Sequence, residues 1–180
     1  SYREGQVKEV DYSCGQIVQE YPVGASNEPN GVFIAFVPDA ELFGNYHFIS
    51  EYVETLLRNY TFLNAGLIIS LNGQKFVSKN GLRDLLDEYM SEPGIYPIIH
   101  IKDDDIELAM THGNQYGEEI YTFVNGQHTT QGGTHLVSFR EALVKTIREF
   151  YKKDFDPSDI RASICSAISI KVEEPVFESQ

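Results

Sequence analysis

The sequence predicts an α/β chain built as two layers, helix packed on largely antiparallel sheet. Three observations carry that expectation. Apolar residues recur every four positions in some stretches and alternate in others, the signatures of helix and strand. Asn72-Gly73 is a strong two-residue hairpin signal. The last hundred residues read strand, strand, strand, long helix, strand, a β-β-β-α-β unit with its own core.

The elements follow in order. Gln6–Val10 and Gln16–Tyr21 are short extended segments around Ser13-Cys14-Gly15, and residues 24–31 are a loop of turn formers. Val32–Val37 is a continuous apolar run between Gly31 and Pro38 and reads as a buried strand. Phe48, Tyr52, Leu56 and Tyr60 give a helix that ends at Asn64-Ala65-Gly66. Leu67–Leu71 and Lys75–Val77 form the hairpin across Asn72-Gly73. A second helix starts at about Asn80 as N-cap, with Leu82, Leu85, Leu86, Tyr89 and Met90 as its stripe. Three strands are expected at Pro97–Lys102, Ile106–Thr111 and Ile120–Val124. The longest helix runs from about His135 to Lys152, with Glu141 and Lys145 as an i,i+4 pair. A loop around Pro157 then leads to a strand marked by Ile164, Ile168, Ile170 and Val172. A break near residues 78–80 divides the chain into parts 1–79 and 80–180.

Composition narrows the function classes. The 180 residues carry 14 Lys+Arg against 27 Asp+Glu, a net charge of −13. That balance opposes a surface that grips nucleic acid all over, which needs a basic footprint. The apolar runs fall far short of the ~20 residues that span a bilayer. The opening Ser-Tyr-Arg-Glu-Gly lacks the apolar core of a signal peptide. Two cysteines, Cys14 and Cys165, form no disulfide framework. A cytoplasmic chain with no membrane partner is the expectation.

The chemistry-bearing residues are sparse. Neither a P-loop nor a G-x-G-x-x-G is present. Gly132-Gly133-Thr134 opens the longest helix, where two glycines serve either an anion at the helix N-terminus or a tight turn, the turn being the simpler reading. His112, His128 and His135 and the run Asp103–Asp105 lack metal-ligand spacing and read as scattered surface groups. Cys165, in an alternating strand with small neighbours, reads as a core residue. Arg140, Lys145, Arg148, Lys152 and Lys153 put positive charge on the long helix, interrupted by Glu141 and Glu149. They are either a mixed-charge solvent face or a nucleic-acid contact.

Ordered motifs add a resemblance. The segment from Thr122 to His135, with Phe123, Asn125, Thr129 and Gly132-Gly133-Thr134-His135, resembles the F-x-N-x-I-x-T-x-E-G-G-T-H segment of the B subunits of bacterial type IIA DNA topoisomerases, gyrase and topoisomerase IV. Phe139-Arg140-Glu141-Ala142-Leu143 is similar to that family's F-R-x-A-L, and Asp159-Ile160-Arg161 to its D-x-R. Ala167–Val172 resembles A-V-I-S-V-K-V, and Phe177-Glu178-Ser179-Gln180 resembles F-E-G-Q. Upstream, Phe62-Leu63-Asn64-Ala65-Gly66 matches F-L-N-x-G, and Asn30-Gly31 with Phe36, Pro38 and Asp39 resembles T-G-T-x-V-x-F-x-P-D. The motifs are collinear over essentially the whole chain.

The resemblance implies a piece of a larger ATPase. Residues 1–79 would be the C-terminal part of a GHKL nucleotide-binding domain. Residues 80–180 would be a transducer domain with a left-handed β-α-β crossover, stopping before the Thr-Lys of the family's Gln-Thr-Lys loop. Gln180 would contact the ATP γ-phosphate, and Arg140 would face the cavity that DNA crosses. ATP and Mg would belong to the intact protein, with none expected on these residues alone, because the family's general-base Glu, Mg-binding Asn and adenine motif have no counterpart here. No catalytic or metal residue is therefore expected in this stretch. A topoisomerase A subunit, double-stranded DNA and a second copy of the chain's own subunit would be the partners. Two departures stand out: Val32 occupies the place of a strand threonine that helps hold an adenine-site water, and Gln131 that of an acidic residue. The alternatives are a domain of a mismatch-repair or chaperone-like GHKL ATPase, or an acidic interaction module.

Overall fold

A computed structural model describes residues 1–176. They form two compact units, one of residues 1–49 and one from Ser50 onward.

In the first unit, β1 (Tyr2–Arg3), β2 (Gln6–Val7) and β5 (Gly24–Ala25) make a three-stranded antiparallel sheet, and β3 (Val10–Ser13) pairs with β4 (Gln16–Glu20). A short helix, α1 (Ala40–Phe43), is N-capped by Asp39, whose carboxylate accepts the Glu41 N–H at 2.8 Å. The expected buried strand Val32–Val37 does not form. These residues pair with nothing in a ladder, and Val37 is 91% exposed. An apolar run becomes a strand only where another strand takes its N–H and C=O groups, and among the described residues of this unit none does so. The residue 24–31 loop is also partly ordered, since Gly24–Ala25 joins the sheet.

The second unit holds the main core. It comprises α2 (Ser50–Leu63), the hairpin β6 (Ile68–Leu71) and β7 (Gln74–Val77), and α3 (Leu82–Tyr89). The remaining strands are β8 (Ile99–Lys102), β9 (Ile106–His112), β10 (Glu119–Val124), β11 (Gln127–His128) and β12 (Ile164–Ile170), and the remaining helices are α4 (Thr134–Tyr151) and α5 (Pro157–Arg161). The five-stranded sheet runs β11-β10-β12-β9-β8. All its neighbours are antiparallel except β10 and β12, which pair in parallel from Glu119↔Cys165 to Val124↔Ile170. Two parallel strands cannot be joined by a hairpin, so α4 and α5 supply the crossover.

Leu82, Leu85 and Leu86 of α3 and Phe62 of α2 pack on Ala109, Ala167 and Phe123. The alanines on the two central strands leave room for α3 to lie close to the sheet, and each fully buried leucine contributes roughly 1.5–3 kcal/mol. Of the two faces of β9, the one toward α3 therefore carries Glu107, Ala109 and Thr111, all buried, while on the more apolar face Met110 is buried, Leu108 half-buried and Ile106 exposed.

That choice is explained by capping. Helix α3 begins after Gly81 rather than at an Asn80 cap. Glu107, its side chain 10% exposed, accepts the Leu82 N–H at 2.9 Å and pairs with His100 and Lys102 at 3.0 Å each. Asp84 turns back to accept the N–H groups of Lys79 and Asn80. Near the chain's end, the expected Pro157 loop is the short helix α5, because Asp156 caps it and Pro157 occupies its first turn.

Four hairpins use one device. Glu4-Gly5, Cys14-Gly15, Asn72-Gly73 and Asn125-Gly126 each place both turn residues at positive φ, the conformation that matches the twist of the flanking strands.

Candidate functional site

The parallel pairing of β10 with β12 brings three separate segments together. Glu118 lies just before β10, Arg161 ends α5 just before β12, and Arg140 sits on α4, the helix joining the two strands. Arg140 donates from Nε at 2.8 Å and Nη2 at 2.5 Å to one oxygen of Glu118. Arg161 Nε stands 3.0 Å from the other oxygen. That second contact is an ion pair without hydrogen-bond alignment, so the buried Arg161 Nε–H has no hydrogen-bond acceptor. Two guanidiniums therefore share one carboxylate and leave one net positive charge.

Beside this cluster an open groove of about 440 Å³ runs between α4 and α5. Arg140, Lys145, Arg148 and Arg161 line it against Glu141 and Glu149. Arg148 is committed to structure, since it donates to the Phe155 carbonyl and pairs with Asp154 at 2.9 Å where the chain leaves α4. Lys145 lies 3.9 Å from Glu149, a loose exposed pair.

The Gly-Gly-Thr-His motif is a turn into α4. Gly132 has φ +78°, and a Cβ there would sit 2.8 Å from Leu136 Cδ2. Gly133 has φ +149°. His135 Nε2 lies 3.2 Å from Thr129 Oγ1, and Thr129 in turn lies 2.6 Å from Thr122 Oγ1. The histidine thus pins the loop to β10, and burial pushes its imidazole pKa down. The tight-turn reading accounts for both glycines. Gln131 is exposed.

Asn125 organises the exit of the last strand. Its Nδ2 donates to the Val172 carbonyl and its Oδ1 accepts the Val172 N–H, both at 2.9 Å. Lys171 adds a backbone bond to Asp105 and a side-chain bond to the Asp104 carbonyl. The segment leading toward Gln180 is therefore fixed through Val172. Gln180 itself lies outside the described residues.

The other sequence candidates take structural places. His112 lies between the Tyr96 hydroxyl (Nδ1, 2.6 Å) and the Ile160 carbonyl (Nε2, 2.9 Å), so it is a half-buried brace between β9 and α5 rather than a scattered surface group. The Nε2–H donates to that carbonyl, and in the neutral ring Nδ1 accepts from the tyrosine. Cys165 is buried, accepts from Gln115 Nε2 at 2.8 Å, and has its thiol pKa raised by burial. Among the described residues, no group of three or more His, Cys, Asp or Glu side chains converges as a metal site. Val32 is exposed and in no strand. No helix among them is long and apolar enough to cross a membrane.

Comparison with known proteins places the chain. A family model described as DNA gyrase B matches residues 49–180, well over half of its length. The chain belongs to the DNA gyrase B family. Within that family it is 39% identical over 181 residues to the B subunit of DNA topoisomerase 4 from Borreliella burgdorferi, covering 100% of this chain and 30% of that protein. It is 31% identical over 207 residues to the B subunit of DNA gyrase from Eisenibacter elegans, covering 99% of this chain and 43% of that protein. The chain therefore spans well under half the length of these relatives. Among solved structures, the 43K ATPase domain of Thermus thermophilus gyrase B, in complex with an aminocoumarin, matches with a TM-score of 0.79 at 26% identity, over 98% of this chain and 54% of that one. The ATPase region of Saccharomyces cerevisiae topoisomerase II shares the fold, with a TM-score of 0.66 at 21% identity.

The sequence motifs and the family thus agree. Of the residues named from the sequence, Arg140 enters a charged cluster. Glu118 was missed as a site residue and Arg161 was read only as part of a motif. No spacing rule links positions 118, 140 and 161, since only the parallel register of β10 and β12 brings them together.

Proposed function

We propose that the chain is part of the B subunit of an ATP-dependent type IIA DNA topoisomerase, working as the element that couples ATP binding and hydrolysis to gate closure and strand passage. The observation that carries this reading is the end-to-end similarity to the B subunit of a topoisomerase 4. Residues 1–79 correspond to the end of the GHKL domain and residues 80–180 to the transducer. The compact division at Ile49/Ser50 falls elsewhere, because Phe62 of α2 shares a core with α3.

In this reading ATP and Mg²⁺ are held by residues of the longer protein. The transducer's part is mechanical: the Asn125 clamp on Val172 transmits the position of the Gln180 segment into the five-stranded sheet. Gln180 is assigned the γ-phosphate contact, where an amide N–H₂ can sense a terminal phosphate. Arg140 is assigned to a cavity facing double-stranded DNA, closed by a second copy of the chain, with a topoisomerase A subunit completing a cytoplasmic enzyme.

The test is an assay of the full-length protein with its A-type partner on supercoiled plasmid. ATP- and Mg²⁺-dependent change in linking number is expected, and its absence in a folded, assembled complex would sink the reading. The 180 residues alone are expected to turn over no ATP.

A further inference from the structure

We propose that Glu118 is a stand-in for a DNA phosphate: it holds Arg140 and Arg161 as a pair, and the phosphodiester backbone of duplex DNA binds there by taking its place. The inference rests on the reading of this chain as part of a DNA-handling enzyme, and it extends that reading to two residues outside it.

Three features point this way. First, the cluster is cationic in a chain of net charge −13, with two guanidiniums against one carboxylate. Second, the carboxylate satisfies the pair incompletely. Both Arg140 bonds go to one oxygen, and the buried Arg161 Nε–H has an ion-pair partner but no aligned acceptor. A phosphodiester presents two charged oxygens on a tetrahedral centre, so each guanidinium can take its own aligned, charge-assisted bond. Third, the cluster borders the open groove between α4 and α5, so an extended backbone has access, and Lys145 adds a loosely held cation to the same groove. Glu118 and the groove's Glu141 and Glu149 oppose the approach of an anion.

Glu118 then acts as a positioning residue. It keeps both arginines extended toward one point and lowers their attraction for DNA, so that contact is made and released readily. A carboxylate that leaves as phosphate arrives makes binding an exchange of partners rather than a simple gain.

The test measures affinity of the full-length protein for a fluorescent linear duplex between about 50 and 200 mM salt, where each phosphate contact adds about 0.9 to the slope of log K against log salt. Arg140→Ala and Arg161→Ala are each expected to weaken binding and flatten the slope by about 0.9. Glu118→Gln, which keeps the volume and removes the competing charge, is expected to bind several-fold tighter with a steeper slope. Glu51→Gln removes the same charge from α2, outside the groove, and is expected to change little. Glu118→Asp, too short to reach both arginines, is expected between wild type and Glu118→Gln, and it serves as the readout should Glu118→Gln not fold. If neither arginine variant alters binding, the DNA reading of this face fails, and the proposal with it. If the arginine variants weaken binding but Glu118→Gln does not tighten it, or Glu51→Gln matches it, the proposal alone is overturned.

Discussion

Glu107 illustrates how one side chain fixes the orientation of an element. Burial works against its charged form, yet the Leu82 N–H, His100 and Lys102 outweigh burial and hold its carboxyl below the ordinary carboxylate range. The carboxylate is therefore worth more to the folded state than to the unfolded one. Its contribution is fully present above the unfolded value of about 4.3 and is lost as pH falls through the lower folded value. Glu107→Ala leaves a helix N–H without its acceptor and should cost about 1–3 kcal/mol, read from denaturant unfolding at neutral pH. The variant's loss relative to wild type should shrink as pH falls below about 4.3, and an unchanged difference at low pH would contradict the role given to the charge. From sequence, Glu107 is one polar residue on an alternating strand. Its function depends on α3 lying across that strand, which no local pattern encodes.

At the scale of elements, the entry to α4 and the exit from β12 carry the predictions. Gly132→Ala would put a Cβ 2.8 Å from Leu136 Cδ2 at φ +78°, in a region where an L-residue costs roughly 1–2 kcal/mol. Its melting temperature should fall by about 2–4 °C per kcal/mol; an unshifted melt would show that the turn relaxes freely. Asn125→Ala removes both bonds to Val172. Hydrogen exchange at the Val172 amide should speed up by about fivefold for each kcal/mol lost, while Leu85 and Leu86 amides keep their protection. Equal acceleration across the core would mean that Asn125 supports the whole unit rather than the exit strand. The longer helices and the Asn72-Gly73 hairpin were legible because their signals are local. The stripe of α4, the Asn72-Gly73 turn and the alternation of β9 each depend on residues a few positions apart. The exceptions share a cause. Residues 32–37 have the composition of a strand, but strand formation is decided by a partner, and composition does not reveal whether one is within reach. Helix α5 was hidden by its brevity, since one turn shows no periodicity.

At the scale of the molecule, the two units should differ in protection. Backbone groups of residues 32–37 have no ladder partner, whereas β9 and β12 are paired along their full length. In a hydrogen-exchange experiment on the 180-residue chain, amides of Ala109 and Ala167 should outlast those of residues 33–37 by orders of magnitude, as buried ladders exchange through near-global opening and unpaired segments do not. Comparable rates in the two segments would contradict the fold described for one of them. The net charge of −13 fits the same picture. It describes an acidic exterior, and it coexists with a local positive site because three distant residues converge.

The sequence by itself determined the α/β class, most helices, the Asn72-Gly73 hairpin and the family, since each is written in local periodicity, turn chemistry or ordered motifs. Tertiary structure decided which face of β9 meets α3, that residues 32–37 stay unpaired, that His112 is a half-buried brace, and that Arg140 shares Glu118 with Arg161. The physical reason is the same in each case. These outcomes depend on partners supplied by other segments, and the parallel pairing of β10 with β12, made across α4 and α5, brings Glu118 and Arg161 together from opposite ends of that crossover.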